Sequence, residues 1–280
     1  MANWKVTLLR PDEEHGFSSF QDGVFLLFFF PGWWFLMSYK DYIKWERMPS
    51  TWCPGCGIGI VLKYAAMAID ELKIPKEDVV VVSGIGCSGR SAGYFDVESL
   101  HGLHGRALAM AEGVKRGNRK LKVVVISGDG DLLGIGGNHL LHTSRRNVEM
   151  CVICINNEIY GMTGGQMSPT TKKGTVTLTS PEGSPYNPVN AQGLITSNKD
   201  HFYARSSVFH LNHLKKSIQE GISRGGFSFI EVISYCIENN GRRLGFKDAP
   251  EMLDLIRKNY KVNPSPAGKL GDLELGIVKT

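Results

Sequence analysis

Two apolar runs, each ending in a polar signature, constrain this chain more than any other feature of its sequence. Val123-Val124-Val125-Ile126 leads into Gly128-Asp129-Gly130-Asp131, and Met150-Cys151-Val152-Ile153-Cys154-Ile155 leads into Asn156-Asn157-Glu158-Ile159-Tyr160-Gly161. The runs read as strands, and Gly134 to Arg146 between them reads as a helix. Strand, glycine turn, helix, strand is a parallel crossover. It predicts an α/β fold with a parallel sheet flanked by helices. Both polar signatures then emerge at the carboxyl ends of neighbouring strands, where open α/β sheets bind ligands.

The residue types at those ends define a chemistry. The Asp129 carboxylate, the Asn157 side-chain oxygen and the Ile159 backbone carbonyl are hard oxygen donors, suited to a Mg²⁺ that keeps water and phosphate oxygens in its octahedron. Gly128 and Gly130 would let the backbone approach a diphosphate without a Cβ in the way. Gly-Asp-Gly alone is common turn chemistry. Here, however, 25 residues (131–155) separate it from Asn156-Asn157, and that arrangement resembles the thiamine diphosphate motif.

From about Trp45 to about Tyr260 the resemblance extends to the β subunits of 2-oxoacid:ferredoxin oxidoreductases. It is carried, in order, by WCPGCG (52–57), GIGCSGR (84–90), HGRA (104–107), GDGD (128–131), GGNH (136–139), RRN (145–147) and NNEIYGMTGGQMSPTT (156–171). The resemblance implies the diphosphate half of a thiamine diphosphate-binding fold over residues 37–260. It also implies Mg²⁺ on Asp129, Asn157 and Ile159. The cofactor would lie against Gly86, Cys87, Ser88, Gly128, Gly130, Asp131, Gly161, Met162 and Thr163, with His104 near the diphosphate or the reacting carbon. The implied reaction is oxidative decarboxylation of a 2-oxoacid, with coenzyme A taking the acyl group and ferredoxin the electrons. The glutamate that meets the aminopyrimidine would come from a partner α subunit, so the chain alone should be inactive.

With 280 residues, 42% of them hydrophobic, the chain can bury a full core. Its 32 Lys and Arg against 27 Asp and Glu leave a net charge of +5 without a basic block, so nucleic-acid binding is not indicated and an acidic protein partner is the better expectation. Residues 1–36 lie outside the pattern. Val24 to Leu36 is apolar, but at 13 residues, interrupted by Pro31-Gly32, it is short for a membrane span, and the acidic residues ahead of it do not suit a signal peptide. The expectation is an atypical extension without function, a membrane-surface anchor being the alternative. Residues 261–280, with Pro and Gly and no clear pattern, read as a tail.

Cys53-Pro54-Gly55-Cys56 precedes a helix read at Ile58 to Leu72, and the spacing fits a redox pair, a zinc half-site or an iron–sulfur half-site. Cys87 follows the strand read at Val79 to Val82, and Cys236 ends the strand read at Phe229 to Ile233, so loops could bring both to the pair. Four cysteines can hold a [4Fe–4S] cluster or Zn²⁺. The resemblance implies the cluster, on Cys53, Cys56, Cys87 and Cys236. One departure is local: the family usually has Cys-Pro-Thr at the last ligand, and here Ile237-Glu238 follows. Cys151 and Cys154 sit inside a strand and read as small core hydrophobes. Cluster-type cysteines and no secretory signal point to a reducing cytoplasm.

Arg90 lies, by resemblance, near the substrate, where a guanidinium would grip a second carboxylate and favour 2-oxoglutarate over pyruvate. Gly161 to Gln166 reads as a loop over the cofactor with Met162 as a wall of the substrate pocket, and Thr170 to Gly193 as a surface excursion. His139 and His142 share a helix face but have no third ligand at suitable spacing, so they read as a packed pair. The rival function is a zinc-stabilised binding protein, which leaves Gly128 to Asp131 and Asn156-Asn157 unexplained.

Overall fold

The computed structural model describes residues 38–280, so the extension read at residues 1–36 lies outside the described residues. In chain order the strands are β1 (Val79–Ser83), β2 (Glu98–His101), β3 (Lys122–Gly128), β4 (Met150–Asn156), β5 (Ile159–Tyr160), β6 (Gln166–Met167), β7 (Phe202–Ser207), β8 (Phe227–Ile233), β9 (Lys261–Val262) and β10 (Glu274–Lys279). Eight of them form one sheet in the order β2-β1-β3-β4-β8-β7-β10-β9, while β5 and β6 make a separate antiparallel hairpin. From β2 across to β7 every pairing is parallel, as the crossover between β3 and β4 requires. β10 pairs antiparallel with β7, and β9 pairs parallel with β10, so these last two strands run opposite to the rest.

The helices are α1 (Ile58–Glu71), α2 (Ala107–Gly117), α3 (Gly137–Arg145), α4 (Ala191–Thr196), α5 (Leu211–Ser223) and α6 (Ala249–Asn259). Strand alternation divides the core between the two faces of the sheet. Val79, Val81, Val124 and Ile126 pack with α1, α5 and α6, and Val80, Val82, Val123 and Val125 with α2, α3 and α4. Cys151 belongs to the first layer and Cys154 to the second, both fully buried with thiols pushed well up by desolvation. They are core residues, as their strand setting implied.

The topology also sets where a ligand can sit. From β1 the chain goes out to the edge strand β2 and returns to β3 on the other side of β1, so the strand order reverses there and a crevice opens at the carboxyl ends.

Three expectations need correction. The helix read at Gly134 to Arg146 begins as α3 only at Gly137, because Gly130–Ile135 form a wider π-type turn closed by Gly136 N–H donating to Asp131 O at 2.8 Å. Such turns often occur at functional sites, and this one lets the Asp131 side chain fold back under the strand ends. Residues 261–280 are no loose tail: β10 extends the main sheet, Leu275 and Val278 are buried, and Met37–Thr280 is one unit without a break at 260. The excursion from Thr170 is not all surface either, since Thr170 and Thr171 are buried. Among the described residues no helix is long and apolar enough to cross a membrane.

Candidate functional site

One pocket gathers the ends of β1, β3 and β4 and the β5–β6 hairpin. Its lining includes Gly86, Cys87, Ser88, His104, Gly128, Asp129, Gly130, Asp131, Asn157, Ile159, Gly161, Met162 and Thr163, all of which the sequence had assigned to cofactor, cation or catalysis. Strand pairing alone aligns Gly128 with Ile155, which sets Asp129 beside Asn156 and Asn157.

Asp129 is 2% exposed, and burial pushes its carboxyl up to about 6 despite hydrogen bonds from Ser168, Thr170 and the Asn157 backbone. A buried carboxylate whose charge is disfavoured by desolvation is a fitting ligand for a cation. The Asn157 side-chain oxygen accepts from Ile159 N–H at 3.2 Å, which holds the two remaining oxygen donors together. Asp129, Asn157 and the Ile159 carbonyl are all hard oxygens, so this set of three fits Mg²⁺.

Asp131, expected to touch the cofactor, also has a structural task. Its Oδ1 accepts from Ile85 N–H at 3.1 Å and Gly105 N–H at 2.7 Å and lies 2.7 Å from His104 Nδ1, while Oδ2 accepts from the Ser127 hydroxyl at 2.9 Å. One carboxylate thus ties together the loops after β1 and β2 and the end of β3. It also fixes the His104 ring at the pocket. Gly130 has a different reason from the one read in the sequence: a Cβ there would lie 2.2 Å from the Tyr160 ring, which covers it. Gly86 is held at φ +116°, a conformation that favours glycine.

Thr170 was missed as a site residue. Its hydroxyl lies 2.5 Å from Asp129 Oδ2 and 2.9 Å from Asn156 Oδ1. The available signal was its place at the end of the long motif that begins at Asn156.

A second cavity, about 150 Å³, opens behind the first and shares Cys87, Asn157 and Met162 with it. Cys53, Cys56, Cys87 and Cys236 all line it, although Cys236 begins a π-type turn, Ile237–Gly241, where the family pattern has Pro-Thr. Burial first, then the other thiols, raises the Cys56 thiol to about 11, and burial likewise raises Cys87 and Cys236. The four groups are close enough to repel one another as thiolates. A cationic guest would relieve that repulsion, so the donor set fits an iron–sulfur cluster. Among the described residues no three His, Cys, Asp or Glu side chains close on a single ion. Arg90 lines this thiol cavity and not the first pocket, and its charge acts on Cys87. His139 and His142 stay on α3, outside both.

Residues 84–232 match the family described as Thiamine pyrophosphate enzyme, C-terminal TPP binding domain. Fold and pocket therefore define the thiamine diphosphate-binding domain of such an enzyme. The 2-oxoglutarate synthase subunit KorB of Methanothermobacter thermautotrophicus is 45% identical over 221 residues, covering 79% of this chain and 77% of that one. The 2-oxoacid:ferredoxin oxidoreductase subunit beta of a Sulfolobus species is 44% identical over 189 residues, 67% of this chain and 62% of that one. Among solved structures, the 2-oxoglutarate:ferredoxin oxidoreductase from Magnetococcus marinus, with 2-oxoglutarate, coenzyme A and succinyl-CoA bound, superimposes with a TM-score of 0.77 at 32% identity over 87% of this chain and 85% of that one. This chain belongs to the β subunits of the 2-oxoacid:ferredoxin oxidoreductases.

Proposed function

We propose that the chain is the catalytic β subunit that converts 2-oxoglutarate, in the presence of coenzyme A, to the acyl-CoA and CO₂ while passing electrons to ferredoxin. The observation that carries the reading is the shared wall: Cys87, Asn157 and Met162 border both the diphosphate pocket and the four-thiol cavity, so a cofactor in one adjoins an acceptor in the other. When bound, thiamine diphosphate supplies a nucleophilic carbon and an electron sink for decarboxylation.

The chain's own residues bind and orient. Asp129, Asn157 and the Ile159 carbonyl would hold Mg²⁺ against the diphosphate. Gly128 and Ser88 would border the phosphates, and His104, whose Nδ1 is held by Asp131, lines the same pocket and would serve there in hydrogen bonding or proton transfer. Met162 borders both cavities and would form a wall of the substrate pocket.

Cys53, Cys56, Cys87 and Cys236 would hold a [4Fe–4S] cluster. Tetrahedral Zn²⁺ needs all its thiolates about 2.3 Å from one point, whereas thiols spaced around a 150 Å³ cavity suit a larger guest. The second chain, coenzyme A and ferredoxin belong to this proposal, as does a cytoplasmic setting.

Anaerobic assay of the purified two-subunit complex with 2-oxoglutarate or pyruvate, coenzyme A and ferredoxin tests the reading. Reduction faster with 2-oxoglutarate, together with a reducible electron-spin signal, is expected. Colourless, redox-silent protein would instead support the zinc-stabilised binding protein.

A further inference from the structure

A chain of buried polar side chains runs from Asp129 away from the pocket, through three adjacent strands. Thr170 stands between Asp129 Oδ2 and Asn156 Oδ1, at 2.5 and 2.9 Å. The Asn156 amide nitrogen donates to Glu231 Oε1 at 2.8 Å. Glu231 Oε2 accepts from Arg205 Nε at 2.8 Å and from the Tyr203 hydroxyl, and Arg205 Nη1 donates onward to Gly271 O at 2.9 Å. Strand register makes this possible, because Arg205 and Glu231 are directly paired neighbours on β7 and β8. Thr170, Asn156 and Glu231 are each no more than 5% exposed.

A buried ion pair is a weak device for stability alone, since desolvation cancels most of its attraction. This pair does something more specific. An ionised carboxylate only accepts, so Glu231 compels Asn156 to turn its nitrogen toward β8 and its oxygen toward Thr170. Burial alone would favour the neutral acid, but Arg205 and the hydrogen bonds from Tyr203, Arg205 and Asn156 bring the Glu231 carboxyl below its ordinary value. The Asn156 oxygen, also held by Glu158 N–H at 3.2 Å, then shares the single Thr170 hydroxyl proton with Asp129 Oδ2 in a three-centre bond, and so sets how that hydroxyl meets Asp129.

We propose that Thr170, Asn156 and the Glu231–Arg205 pair form a positioning relay that sets the orientation of Asp129 for a small, geometrically demanding divalent cation. The proposal rests on the reading of Asp129 as a cation ligand. Its signature follows from coordination chemistry. Mg²⁺ requires near-ideal octahedral geometry, whereas Ca²⁺ accepts irregular sites. A misaimed Asp129 should therefore cost Mg²⁺ far more than Ca²⁺, which a general loosening of the fold would not do.

The experiment uses the two-subunit complex stripped of cofactor, with equilibrium dialysis reporting the Mg²⁺ or Ca²⁺ concentration that half-saturates thiamine diphosphate binding. Thr170→Val keeps shape and removes the hydroxyl. It should raise the Mg²⁺ requirement by about 10- to 100-fold, the usual effect of losing a residue that orients a metal ligand, and move the Ca²⁺ requirement much less. Thr170→Ser should restore it, and Glu231→Gln should shift Mg²⁺ in the same direction as Thr170→Val. Equal Mg²⁺ and Ca²⁺ shifts, or a Thr170→Val effect with none from Glu231→Gln, would overturn the relay. Asp129→Ala separates the two levels: if it leaves the cation requirement unchanged, the cation reading itself fails. If it abolishes binding while the relay variants behave as wild type, only the relay fails.

Discussion

Cys87 touches both cavities, and at the scale of single residues the thiols give the most decisive division. Serine at Cys53, Cys56, Cys87 or Cys236 should lower the iron content of anaerobically purified protein, because a hard alkoxide is a poor substitute for thiolate on iron. Serine at Cys151 or Cys154 should leave iron in place, and equal loss from all six would dissolve the distinction. Arg90 admits a similar test. A charge-assisted pair with the distal carboxylate of 2-oxoglutarate is worth about 1.5–3 kcal/mol, so Arg90→Met should lower kcat/KM for that substrate by about 10- to 100-fold and leave pyruvate level. Because Arg90 lines the thiol cavity, equal loss on both substrates would assign it to cluster support. That Asp129, Asn157 and Ile159 share one pocket and the four thiols one cavity was legible because Asp129, Asn157, Cys87 and Cys236 follow strand ends and Cys53 and Cys56 sit in a short motif just before α1. Thr170 was not, since its contact with Asp129 spans 41 positions and depends on how the hairpin of β5 and β6 folds the chain back.

At the scale of elements, the parallel crossover and α1 were legible to within a few residues, for their apolar periodicity is strong. The π-type turn at Gly130–Ile135 was not, because its cause is the inward-turned Asp131 and no local pattern records it. Nor was β10, whose partner β7 lies some seventy positions earlier and supplies the edge that makes a strand of it. Helix α5 carries a pH dependence. Burial, then the charge of His210, lowers the His213 imidazole to about 4, with Nδ1 held 2.9 Å from Ser206 Oγ. An unfolded chain binds that proton near pH 6.5, so between about 6.5 and 4 the unfolded state holds more protons than the folded one. Stability from this group is thus full above about 6.5 and declines as pH falls toward about 4. The thermal midpoint should drop less between pH 7 and pH 4.5 in His213→Gln than in wild type. Identical drops would show that His213 is not the group responsible.

At the scale of the molecule, three large apolar side chains on segments that adjoin the pocket stay in water in the described chain. Leu103, one residue before His104, is 75% exposed; Ile135, which packs over Gly105, is 52% exposed; and Leu178, bonded through its N–H to Gly165 O, is 51% exposed. Exposed large side chains on segments bordering a site suit an interaction surface. On the two-subunit reading, the partner α subunit covers these side chains and closes the cofactor in. Burying one leucine is worth about 1.5–3 kcal/mol, or roughly 10- to 100-fold in affinity, and a charge in its place adds desolvation cost. Leu103→Asp should therefore weaken assembly by at least that factor in sedimentation measurements. Its thermal midpoint as an isolated chain should stay at the wild-type value, since a side chain so exposed contributes little to its own core. Assembly as tight as wild type would place the partner on another face, and a lowered midpoint would mean that Leu103 packs within its own chain.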